Sequence, residues 1–173
     1  MTKPRKGTSQ LARLADDLPI RLRIGLALVA TDLVLSRLRS SDNFPFAEAA
    51  FELLRRWYDG DRFPPDRFED AICDEHDKGL ISALWAAQSE SEEAAWRVVG
   101  SAVLYTAFHA YQDVGEIPSP GVSEVDETEL DELDKQLQSI SPALINAIID
   151  AADVLRQQPD MSFSQLESNL PET

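Results

Sequence analysis

The densest group of reactive side chains in this 173-residue sequence is CDEHDKG at positions 73–79, with Asp70 one turn upstream. It gathers Cys73, Asp74, His76 and Asp77, and Cys-x-x-His is a metal-ligand spacing. His109 and Asp113 offer a second pair four residues apart. A structural zinc site needs two pairs of soft ligands, whereas the chain holds one cysteine and two histidines. His109 stands in FHAY among apolar neighbours, the setting of a hydrogen-bonded core or half-buried histidine. As a nucleophile Cys73 is poorly served, because the reactive form is the thiolate, which positive surroundings favour, and Asp74 and Glu75 follow it. No nucleophile elbow, phosphate loop or dinucleotide fingerprint occurs. The expectation is therefore a protein that is not an enzyme, with no catalytic residue, no cofactor and no metal. The competing reading is a small helical metal-dependent enzyme built on the Asp/His cluster near His76.

Carboxylates that do no catalysis can still recognise a partner. One acidic run holds Glu69, Asp70, Asp74, Glu75 and Asp77; the other holds Glu124, Asp126, Glu127, Glu129, Asp131, Glu132 and Asp134. The formal net charge is −15, divided unevenly: residues 1–40 carry +5 and residues 41–173 carry −20. Such a field repels nucleic acid and anionic lipid and steers basic proteins inward. The partner expected is a protein with a basic surface, not nucleic acid and not a membrane. The residues expected to meet it are Glu124, Asp126, Glu127, Asp131 and Asp134, together with Glu69, Asp70, Asp74, Glu75 and Asp77. Glu127, Asp131 and Asp134 recur at four and three residues, which predicts one outward face of a helix capped by Asp126. Leu130, Leu133 and Leu137 would then turn to the core. Trp57, Trp85 and Trp96 are candidate apolar anchors, although core packing is the commoner use of tryptophan. A regulatory helical module docking on a basic protein would use the same features.

The basic N-terminal third carries Arg13, Arg21, Arg23, Arg37 and Arg39, and these are expected to form salt bridges to the acidic remainder. Lys3, Arg5 and Lys6 precede the apolar run at residues 24–30, but charged residues interrupt and flank it, and it is too short to span a bilayer. A cytoplasmic location is expected.

These side chains need elements to hold them. Residues 1–8 are basic with Pro and Gly, and a disordered start is expected; residues 9–170 are expected to form one domain. Within it, apolar residues recur at three and four positions: Leu22, Leu26, Val29 and Leu33; Ala50, Leu53, Leu54 and Trp57; Leu144, Ile145, Ile148, Ala152 and Leu155. No stretch alternates with period two long enough to argue a strand. Ser89 with Glu92, Asp126 with Glu129 and Ser162 with Gln165 have capping-box spacing. The fold predicted is all-α, a single-domain bundle of about seven or eight helices around a buried central helix at about residues 91–112. Its first half shows a stripe through Glu93, Arg97 and Ser101, which Leu104, Phe108 and Tyr111 continue. Other helices are expected to cover that second half all round, approaching closely at Gly100, Ala102, Ala107 and Ala110.

Taken together, RRWYDGD at 55–61, RFEDAICDEHDKGL at 67–80, EEAAWRVVGSAVLYTAFHAYQ at 92–112 and EVDETELDEL at 124–133 resemble an all-helical family of immunity proteins from bacterial polymorphic-toxin systems. The match spans roughly residues 50–135 and rests on helix-packing patterns. It implies a small cytoplasmic antidote, or antitoxin, that binds and neutralises a cognate toxin, and it brings no catalytic residues with it.

Overall fold

The computed structural model describes residues 9–170 apart from Glu75, Asp77 and Glu127; residues 1–8, expected to be a disordered start, lie outside the described residues. Ten helices occupy the described chain: α1 (Gln10–Ala15), α2 (Ile20–Leu38), α3 (Phe44–Tyr58), α4 (Asp66–Ile72), α5 (Leu80–Trp85), α6 (Glu90–Val114), α7 (Pro120–Ser123), α8 (Glu129–Ile140), α9 (Pro142–Gln157) and α10 (Phe163–Asn169). No strand occurs among the described residues. None of these helices is long and apolar enough to cross a membrane. The count exceeds the expected seven or eight partly because Pro120–Ser123, read as loop, forms one helical turn: Pro120 fits a first helical position, and buried Val122 pins the turn to the core.

Local chemistry sets several of the ends. Ser89 Oγ accepts the Glu92 amide at 3.1 Å and starts α6, while the Glu92 carboxylate reaches the amide of Gln88 at 2.8 Å, one residue before the expected partner. Ser162 and Gln165 form the full reciprocal box. Asp126 accepts the Thr128 amide at 2.7 Å in the turn ahead of α8, but the N-cap of that helix is Thr128, with no side-chain bond, rather than the expected Asp126. Gly79 marks the start of α5 at φ 130°, a conformation that side chains avoid. A Cβ there would also lie 2.7 Å from the Ala71 carbonyl oxygen, so α4 and α5 fold back on each other only through glycine.

The centre is shared by two helices. α6 packs most extensively on α2 and α8, with α3, α4 and α5 also against it; α9 closes over α2 and α8. From Ile24 to Thr31 every residue of α2 is buried, as is most of α6 from Ala94 to Tyr111. Thr31 and Thr106, buried mid-helix, return their hydroxyls to the carbonyls of Ala27 and Ala102 at 3.0 and 2.8 Å, so neither adds an unsatisfied group. α1 lies across α8 and α9 and is anchored by α8 carboxylates: Asp131 Oδ1 accepts the Ser9 amide and Asp134 Oδ2 the Leu11 amide, both at 2.7 Å.

Candidate functional site

One stripe of α6 is left uncovered. Arg97 is exposed, and Gly100, Leu104 and Phe108 are only half-buried, contrary to the expectation that other helices surround this part of α6. At Gly100 no atom comes within 4 Å of where a Cβ would stand, so the small residue admits no neighbouring helix. A mid-helix glycine costs about 0.5–1 kcal/mol relative to alanine, and the packing of this chain does not require one here.

Arg97, Gly100 and Leu104 of this stripe form the floor of a groove of about 570 Å³, within the size range of ligand sites. Ile72 and Cys73 at the end of α4, with Leu80, Ile81 and Leu84 of α5, make one wall. Gly121 and Val122 of α7 with Glu129 and Glu132 of α8 make the other. Gly121, like Gly100, has open space above it. Ile81 is 43% exposed and Trp85, one turn further on the same face of α5, is 86% exposed. Ile117, in the loop between α6 and α7 and outside the groove lining, is 93% exposed.

Carboxylates rim this apolar floor, and they are held differently on its two sides. Glu129 is half-buried, and burial pushes its carboxyl up, opposed by a hydrogen bond from Ser101 and reinforced by the charges of Glu132 and Asp126. For Glu69 burial also acts upward but is outweighed: hydrogen bonds from the Tyr111 hydroxyl and from Ser119 hold its carboxyl down. The Ser119 amide meets Glu69 Oε1 at 3.3 Å, tying the two walls together at one end. Burial and the bond to Glu69 push the Tyr111 phenol up. Arg97 brings a basic group to the floor, already engaged with Glu93 at 2.8 Å.

From the two acidic runs, far apart in sequence, Glu69 of the first and Glu129 and Glu132 of the second line one groove. Glu69 lies in its wall; Asp70 is exposed on α4, and Asp74 follows in the link to α5. Glu124 and Asp126 lie exposed in the link between α7 and α8. Asp74 is committed to its own loop, accepting the amides of His76 and Lys78 at 2.8 and 2.9 Å; those bonds, Lys78 first, hold its carboxyl low. Glu75, Asp77 and Glu127 lie outside the described residues. The expected outward face of α8 is corrected. Asp134 is 0% exposed, bound to the Leu11 amide and to Gln138. Asp131, half-buried, holds the Ser9 amide. Asp134 follows Leu130 by four residues and precedes Leu137 by three, so it shares the leucine face rather than opposing it. Of the tryptophans, Trp57 and Trp96 are core residues and Trp85 is exposed.

Ile81, Leu84, Gly100, Leu104 and Glu129, which form much of the groove, were not among the residues expected to bind. The signal available was Gly100, a glycine at the point where the α6 stripe changes from charged to apolar.

Elsewhere, a hollow of about 340 Å³ lies among α2, α3 and α6. Its cations are taken up internally: Arg21 donates to the carbonyls of Tyr58, Met161 and Pro159 and stacks over Tyr58 at 4.3 Å. Arg62 pairs with Asp113 at 3.3 Å and stacks over Trp57 at 4.5 Å. Arg23 likewise donates to the Leu18 and Asp16 carbonyls; for Arg21 the bonds run to backbone oxygens where a salt bridge was expected. His109 is buried, with Nδ1 3.3 Å from Gln112 Oε1 and its ring against the edges of Tyr105 and Phe108. Among the described residues no group of three or more His, Cys, Asp and Glu side chains is placed to hold a metal ion.

No curated protein and no solved structure matches the chain. The family model described as immunity protein Imm6 matches residues 22–141, from the start of α2 to the end of α8. That span includes α6 and every wall of the groove, and it exceeds half of the sequence. The chain belongs to the Imm6 immunity protein family.

Proposed function

We propose that this protein is the antidote of a bacterial toxin, a non-enzymatic inhibitor acting in the cytoplasm that binds its cognate toxin and holds it inactive. Family membership supports the class of activity. The observation that carries the mode of action is the groove over α6, where an apolar floor is bordered by carboxylates from two separate parts of the chain. Protein interfaces combine an apolar centre with a polar rim in this way. A net charge of −15 would speed the approach of a basic toxin, so association should slow as salt rises.

The test is co-expression. A polymorphic toxin gene encoded beside this chain, expressed in a sensitive host, should stop growth, and this chain should restore it while forming a complex with the toxin domain. Continued killing with no complex, despite abundant folded protein, would refute the proposal for that toxin and its class.

A further inference from the structure

We propose that the α6 groove receives an amphipathic helical segment of the toxin, whose apolar side beds over Gly100 between Ile81 and Val122 and whose lysine or arginine reaches Glu129. This inference rests on the toxin-binding reading above and names what enters the site.

Three independent features select that occupant. The first is the floor. Glycine is the weakest helix former after proline, yet Gly100 sits in the middle of α6 with nothing above it. A Cβ there would project into the groove and, beyond its own helical turn, meet no atom within 4 Å. Gly121 across the groove is equally open, so both sides keep room for a close backbone approach, as small residues do where helices meet.

The second feature is the mixture of chemistry. Leu84, Leu104 and Val122 are apolar surface suited to leucine-sized anchors, and Glu129 stands beside them. Half-buried with Glu132 close by, a carboxylate is poorly solvated when ionised even with its hydrogen bond from Ser101, and a cation brought to it restores what burial removed. The single basic side chain of the floor, Arg97, is already bonded to Glu93, which leaves the acidic wall to the incoming segment.

The third feature is topology. The described residues contain no strand, so no sheet edge is available for an extended segment to join by backbone pairing. Helix-in-groove binding is the mode that needs only side-chain packing and a charged rim.

The test uses the full chain and two labelled peptides, one of leucine and lysine at helical spacing and one with glutamate for lysine. Wild type should bind the lysine peptide with one-to-one stoichiometry and ignore the glutamate peptide. Gly100→Leu, which fills the floor, and Glu129→Gln, which removes the charge, should each weaken binding by about tenfold or more. Asp150→Asn, on exposed α9 surface, should leave it unchanged. Equal binding by all three variants would mean charge attraction alone and would overturn the proposal. A wild-type dimer made monomeric by Gly100→Leu would overturn it in favour of a second copy as the occupant. The same variants co-expressed with the toxin separate the two readings. Full protection by both Gly100→Leu and Glu129→Gln would refute the groove and leave the antidote standing. Failure of wild type would refute the antidote, whatever the peptides do.

Discussion

Gly25 and Gly100 both sit inside long helices, and the space beside them is opposite in kind. A Cβ on Gly25 of α2 would lie 2.8 Å from the Tyr58 ring, and that ring is fixed by its hydroxyl on the Met161 carbonyl at 3.1 Å and by Arg21 stacked above it. A Cβ on Gly100 of α6 would meet nothing within 4 Å. The first glycine lets this chain pack on itself. The second gives the chain no packing advantage and weakens its longest helix. On the function proposed above, a residue that costs stability without serving the core keeps a surface open for another molecule, an exchange of stability for function.

Substitutions on the two sides should therefore differ in kind as well as size. The largest effect belongs to the interior: Trp96→Ala, removing a side chain 1% exposed, should cost about 3–5 kcal/mol in denaturant unfolding. Trp85→Ala on the open side should change stability by less than about 0.5 kcal/mol. Comparable losses at the two tryptophans would break the contrast.

Asp134→Ala should come next. It strips the buried acceptor of the Leu11 amide and should cost about 2–3 kcal/mol, because a buried donor is left unmade. Hydrogen exchange should show faster exchange at Leu11 and neighbouring amides of α1. An Asp134→Ala protein as stable as wild type would return this carboxylate to the surface face expected from sequence spacing.

Gly25→Ala should destabilise by about 1–2 kcal/mol, since overpacking against Tyr58 exceeds the gain in helix propensity. A stabilised Gly25→Ala would mean that the Tyr58 ring yields freely and that the two glycines are alike.

The smallest effect is the most informative about the groove wall. Glu129 has a carboxyl pushed up by burial, so ionising it is harder in the folded chain than in the unfolded one. Its contribution to stability is complete below the ordinary glutamate pKa of about 4.3 and is lost as pH rises through the elevated value. Glu129→Gln should therefore raise the melting temperature slightly at neutral pH, and the gain should disappear in acid. Glu69 runs the other way. Its carboxyl is held low, so its contribution is present above the ordinary value and fades as pH falls; Glu69→Gln should destabilise at neutral pH. The same sign for both would contradict the opposite environments of the two walls.

Much of the fold was legible in the residues. The three-and-four spacing of Leu22, Leu26 and Val29, and the apolar run through α6, identify helices because burial on one side of a helix leaves that periodicity. Ser162 and Gln165 announced a cap because a cap is local chemistry. Less legible was anything that depends on how helices meet. Asp134 carries no mark in its own sequence that Leu11, 123 residues away, will offer it an amide. Pro120 and Gly121 read as loop, since their turn is held by Val122 in a core that sequence spacing does not show. The groove was hidden for the same reason. The α6 stripe is apolar through Leu104 and Phe108, and apolarity alone does not say whether the covering surface comes from this chain or from another.

The measurement that bears most directly on that last point pairs stability with protection for Gly100→Leu. If the open floor is reserved for the toxin, the variant should melt at or slightly above the wild-type temperature, gaining up to about 1 kcal/mol from the removal of a mid-helix glycine. It should fail to protect cells expressing the cognate toxin. A Gly100→Leu protein that is equally stable and still fully protective would contradict the account, because the groove could then be filled without consequence.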